Sequence, residues 1–227
     1  LNYMLVHYIQ KKGIDIAWED PIGGPIWRLR HMLSRLCRLP EFGDKLIVRG
    51  LQILYASFNW RYAQHLFRQF KDEQRHTVYG RSQRVAKRIG ELSKKYEVYV
   101  ISRSSGGRVA SLVADNVAVK QIICLGYPFQ NPENGIEPER YEHLPALRTP
   151  FLIIQGRNDE YGGSEILEKY HFHPNTSIFL MDTDHGFNME KHQWQVLFHN
   201  MEEILPKNQV KTKESFDLIS TTSFVSS

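Results

Sequence analysis

Between residues 96 and 205 the chain alternates near-continuous apolar, β-branched runs with stretches in which apolar positions recur at helical spacing. The runs are YEVYVIS (96–102), VKQIICLGY (119–127), TPFLIIQG (149–156) and TSIFLMD (176–182). A strand with one wet face alternates apolar and polar residues, whereas these are apolar almost throughout, so each predicts a strand covered by helices on both sides. Around them, residues 80–96 place Val85, Ile89 and Leu92 on one helical stripe. Further helical pieces are expected over 107–115, 163–170 and 190–204. Such β/α alternation predicts βαβ units and a mainly parallel sheet, an α/β three-layer sandwich.

The first 80 residues follow a different pattern. MLVHYIQKKG predicts a helix closed by Gly13, and IDIAWED a strand after it. Pro21-Ile-Gly-Gly-Pro25 then breaks the chain, and IWRLRHMLSRLCR sets Ile26, Leu29, Met32, Leu33, Leu36 and Cys37 opposite Arg28, His31, Arg35 and Arg38. That is a basic amphipathic helix, most simply packed on a core with its basic side wet. Residues 44–70 are largely helical in pattern, with aromatic residues at 55, 58, 60, 62, 67 and 70. We therefore expect a single domain over 1–205, with 21–78 as a helical insertion or cap. From Pro206 to 227 periodicity is lost in favour of Ser, Thr and Lys, which predicts a disordered tail.

Charge and cysteine usage narrow the classes. The formal charge of +4 is local: residues 1–80 hold 12 Lys and Arg against 7 Asp and Glu. No dense basic stripe with a reading motif accompanies it, so a nucleic-acid partner is not expected. Cys37 and Cys124 have neither disulfide-framework nor metal-ligand spacing, so no metal and no cofactor are expected. No run is long and apolar enough for a membrane span, and the N-terminal stretch lacks the build of a secretory leader, which points to a cytoplasmic protein.

Candidate chemistry sits at the ends of the expected strands. Val98-Tyr-Val-Ile-Ser-Arg-Ser-Ser-Gly-Gly places serines between an apolar strand and a small-residue helix, the setting of a nucleophile elbow of pattern G-x-S-x-G. Here the pattern is Ser102-Arg103-Ser104-Ser105-Gly106. Register favours Ser104, because taking Ser105 or Ser102 as nucleophile puts Arg103 or Val100 at a crowded position. A serine hydroxyl needs a positioned base, and the base an orienting acid. Asp159 follows the strand ending at 156 and His185 follows the strand ending at 182, in the chain order Ser, Asp, His that this elbow chemistry uses. All three fall at the carboxyl edge of the sheet, where open α/β folds bind ligands. Glu160, Asp182 and Asp184 remain competing acids. His171 and His173, placed before a strand rather than after one, are poorer bases.

The chain resembles an α/β hydrolase of the dienelactone-hydrolase-like kind, closest to the group typified by testis-expressed protein 30. The resemblance covers about residues 80–205 and is carried by Arg103-Ser104-Ser105-Gly106, Leu125-Gly-Tyr-Pro-Phe-Gln-Asn-Pro132, Leu152-Ile-Ile-Gln-Gly-Arg-Asn-Asp-Glu160 and Asp184-His185-Gly186. It implies a triad of Ser104, Asp159 and His185, the backbone N–H of Ser105 as an oxyanion-hole donor, and a small ester or thioester as substrate. Ser102 departs from the family's glycine. The early His-Gly-type loop that gives the second oxyanion donor is not found, which leaves two alignments. Either 14–19 is the strand just before the helical insertion and the oxyanion strand is missing, or 14–19 is that strand and Gly23-Gly24 supplies the donor. The first is favoured. A hydrolase-like protein without activity, acting by interaction, is the rival reading.

Overall fold

The computed structural model describes residues 3–19, 23–36, 41–71, 77–205 and 217–221. The chain forms two compact units, one of Leu1–Ala17 with Ser82–Ser227 and one of Trp18–Arg81.

In the larger unit, helix α1 (Tyr3–Lys11) leads into strand β1 (Asp15–Trp18). After the insertion come α5 (Val78–Leu92), β2 (Val98–Arg103), α6 (Ser105–Ser111) and β3 (Gln121–Leu125). A two-stranded ribbon, β4 (Gln130–Asn131) and β5 (Gly135–Ile136), precedes β6 (Phe151–Gly156), α7 (Ile166–Lys169), β7 (Thr176–Met181), α8 (Lys191–Glu202) and β8 (Asp217–Thr221). The main sheet runs in the order β1-β8-β2-β3-β6-β7. Parallel pairing sets Ile101 against Ile123, Ile123 against Leu152, and Ile154 against Phe179. The mainly parallel sheet with flanking helices is the architecture that the apolar runs predict.

Side-chain alternation along the strands explains the two helical layers. Ile101, Ile123, Leu125, Leu152 and Ile154 share one core with Leu5 and Ile9 of α1 and Trp194, Leu197 and Met201 of α8. Each fully buried aliphatic side chain there contributes about 1.5–3 kcal/mol relative to exposure. Tyr8 ties the two helices by stacking on Phe198 at 4.2 Å and donating to the Phe198 carbonyl at 3.1 Å. On the other side of the sheet, a Cβ on Gly107 would collide with the Cys124 sulfur, so α6 can lie on β3 only because residue 107 is glycine.

Several boundaries differ from expectation for local reasons. Helix α5 starts two residues early because the Thr77 hydroxyl accepts the Gly80 N–H at 3.1 Å. Helix α6 starts at Ser105, two residues before the expected 107, and ends at Ser111, and a separate short 3-10 turn follows over Ala114–Asn116. The stretch expected to be a disordered tail contains β8, which pairs in parallel with β2 and sets Ser102 against Thr221. The rest of that stretch, 206–216 and 222–227, lies outside the described residues.

The smaller unit is helical, with α2 (Gly23–Leu36), α3 (Glu41–Phe58) and α4 (Trp60–Lys71). The stretch expected to be largely helical divides at Asn59, whose side chain accepts the Tyr62 N–H at 3.1 Å and caps α4. Tyr62 is buried and meets Tyr55 edge-on, whereas Phe58, Trp60 and Phe67 are exposed. Gly23 and Gly24 pack on the Trp18 ring. Arg81 pairs with Glu19 at 3.2 Å. Of the expected basic face, Arg28 on α2 is exposed, the side chains of His31 and Arg35 are outside the described set, and Arg38, like Cys37, lies outside the described residues. Among the described residues no helix is long and apolar enough to cross a membrane.

One packing contact has a pH signature. His143 Nε2 lies 2.7 Å from the Ser111 hydroxyl, and burial, reinforced by the Arg108 guanidinium, pushes the imidazole down to about 4 from 6.5. As pH falls from 6.5 towards 4 the unfolded chain protonates this group and the folded one does not, so stability is lost through that window. The loss amounts to at most roughly 3 kcal/mol. Melting temperature followed from pH 7 to 4 should fall less steeply in His143→Gln than in the wild type; parallel curves would refute this assignment.

Candidate active site

Strand β2 ends in Arg103, and the next residue, Ser104, adopts φ 49° and ψ −126°. That left-handed conformation costs a non-glycine residue about 1–3 kcal/mol and lifts the side chain off the strand edge. The Ser104 N–H bonds the Leu125 carbonyl at 3.1 Å, and the Ser104 carbonyl accepts the Gly107 N–H at 2.8 Å. The turn is therefore clamped from the sheet on one side and the helix on the other. Ser102, where the elbow pattern calls for glycine, is fully buried, and its hydroxyl donates to the Ile123 carbonyl at 3.2 Å. The extra hydroxyl is absorbed by the neighbouring strand.

The loops after β6 and β7 bring the other two groups to the same edge. His185 Nε2 lies 3.1 Å from Ser104 Oγ. His185 Nδ1 lies 3.0 and 2.9 Å from the two carboxylate oxygens of Asp159. The Asp159 side chain is fully buried, while that of His185 keeps 16% of its surface exposed. An imidazole held this way has one nitrogen fixed by an acceptor and the other free to take a hydroxyl proton.

Of the candidate acids, Asp159 is the one whose carboxylate meets His185 Nδ1 among the described residues. His173 Nδ1 accepts the Asn175 N–H at 3.1 Å within its own turn. Asp182 offers its backbone carbonyl to Gln193, and the Glu160 carbonyl accepts from Gln130. Ser105 opens α6 directly after Ser104. Gly23 and Gly24 belong to the smaller unit, and their packing on Trp18 already accounts for both residues being glycine. In the sheet, β8 stands between β1 and β2, so the strand before the insertion is not the neighbour of the elbow strand.

Further residues hold this arrangement. The Tyr161 N–H donates to Asp159 Oδ1 at 2.8 Å, and the Tyr161 ring packs on the His185 ring at 4.3 Å. Arg103 donates to the His185 carbonyl at 2.7 Å and holds that loop to β2. Burial pushes the Arg103 guanidinium down from its ordinary value, and the nearby Asp159 and Asp184 carboxylates oppose that shift. A Cβ on Gly156 would collide with the Thr183 carbonyl, so glycine lets the two loops cross. Cys124, buried beneath the elbow, has its thiol pushed up to about 12 by desolvation and stays protonated at neutral pH.

A model of the alpha/beta hydrolase domain matches residues 39–210. The chain belongs to the alpha/beta hydrolase domain family. Solved structures of this hydrolase fold share parts of its course. One assigned to the alpha/beta superfamily from Xanthomonas campestris pv. campestris is 19% identical, with TM-score 0.39, over 56% of this chain and 70% of that one. An alpha-beta serine hydrolase homologue from Coxiella burnetii is 19% identical, with TM-score 0.37, over 48% of this chain and 50% of that one. A serine hydrolase involved in carbazole degradation is 12% identical, with TM-score 0.43, over 60% of this chain and 74% of that one. No curated relative matches the sequence. Within this hydrolase family the elbow, acid loop and histidine loop of the chain all fall inside the matched region.

Proposed function

We propose that the protein is a serine hydrolase that cleaves a small carboxylic ester or thioester through an acyl-enzyme. The observation that carries this reading is the continuous relay from the Ser104 hydroxyl through the His185 ring to the buried Asp159 carboxylate. His185 takes the proton of Ser104 as its oxygen attacks the substrate carbonyl, and Asp159 stabilises the imidazolium that forms. The Ser105 N–H, at the start of α6, is one donor to the tetrahedral oxyanion. His185 then gives its proton to the leaving alcohol or thiol, and water releases the acid by the same steps in reverse. Ser104, His185 and Asp159 are the catalytic residues in this scheme. Within the family, the Tyr-Pro and Arg-Asn-Asp-Glu segments favour the group typified by testis-expressed protein 30.

A fluorophosphonate probe tests the reading. The folded protein should be labelled at Ser104, located by mass, and should hydrolyse p-nitrophenyl acetate or a short acyl thioester in a way abolished by Ser104→Ala. Folded protein that is neither labelled nor active would overturn it. A non-catalytic interaction protein built on the same relay would then be the better account.

A further inference from the structure

We propose that Gln155 is a positioning residue, a buried amide that fixes the Asp159 carboxylate and through it the His185 ring; this deepens, and rests on, the serine-hydrolase reading. Gln155 is the only strongly polar residue in the apolar run of β6, and it is fully buried. A buried side-chain amide is costly unless its hydrogen-bonding groups are met. Here they are. Oε1 accepts the Tyr127 N–H at 2.8 Å. Nε2 donates to the Gly162 carbonyl at 2.7 Å and to Asp159 Oδ2 at 2.9 Å, with the Tyr127 carbonyl a more distant third acceptor at 3.2 Å.

These partners fix the orientation of the amide. One end faces an N–H and the other faces only acceptors, so turning it over would set donor against donor and oxygen against oxygen. With Tyr161 N–H on Oδ1 and Gln155 on Oδ2, each oxygen of Asp159 carries one donor besides His185. The carboxylate cannot then rotate without losing two hydrogen bonds, and its full burial denies it replacement water. Because Gln155 also bridges the loop after β3 to the loop after β6, it sets the acid's position relative to the strand beside the elbow.

Gln155→Met keeps the volume and removes the bonds. It should slow fluorophosphonate labelling of Ser104 by about 10- to 100-fold, the range of a misplacement near the reacting groups. In an Asp159→Ala background, followed over longer incubations, the same change should alter the rate less than about twofold, because the group it acts through is gone. An equal loss in both backgrounds, or none in either, would overturn the proposal. Wild-type protein that is never labelled would instead overturn the serine-hydrolase reading itself. Should Gln155→Met not fold, the side-chain amide protons of Gln155 in the otherwise native protein are read by NMR. They should be protected from exchange and shift on Asp159→Ala, and amide protons that exchange like those of a surface glutamine would overturn the proposal.

Discussion

Asp159→Asn should lower kcat/KM on any ester the wild type accepts by about 10⁴-fold, while the protein still folds. The substitution changes almost no volume, so the loss comes from hydrogen-bond polarity. Both oxygens of Asp159 accept: Oδ1 from the Tyr161 N–H, Oδ2 from Gln155, and both from His185 Nδ1. Whichever way the asparagine amide turns, its NH₂ faces a donor. If it faces His185, Nδ1 loses its proton to the other ring nitrogen and Nε2 can no longer take one from Ser104. If the carbonyl is kept for His185, a buried donor near Tyr161 or Gln155 is left unmet, at about 1–3 kcal/mol. Steady-state kinetics with thermal melts read both effects. Activity within about tenfold of wild type would mean that the acid role lies elsewhere.

Gly126→Ala should cost about 100-fold in kcat/KM, together with about 1–3 kcal/mol of stability. Gly126 follows β3 with φ +64°, a conformation that alanine adopts only under strain. An added Cβ would also sit 3.1 Å from the Phe187 ring, 3.2 Å from His185 Nδ1 and 3.3 Å from Asp159 Oδ2. The methyl group therefore presses on Asp159 and His185 themselves. Phe187 has little room to yield, being buried at φ 52°. A melt that drops while kcat/KM is unchanged would show that the pair accommodates the methyl group.

The sheet and the three relay residues were legible because their signals are local. Four apolar runs too polar-poor for wet strands implied covering helices, and a serine, an aspartate and a histidine each fell just past a strand end. What was missed depends on contacts between distant segments. Gln155 appears in the sequence as one polar residue in an apolar strand, within a segment that carries the family resemblance, but its partners Tyr127 and Gly162 come from separate loops. Gly107, Gly126 and Gly156 read as ordinary glycines until the groups facing them are known. Strand β8 has no apolar run of its own and is made by pairing with β2. The break at Asn59 was a capping residue inside a long helical pattern, a signal open to reading beforehand.

The left-handed Ser104 sets the proposed nucleophile and stability in opposition. Ser104→Gly and Ser104→Ala both discard the hydroxyl, but only glycine adopts φ 49° without strain, so the glycine variant should be the more stable of the two. Selection for robustness alone would favour glycine at this position. The serine there is a standing load on the fold, carried by the strand and helix that clamp it.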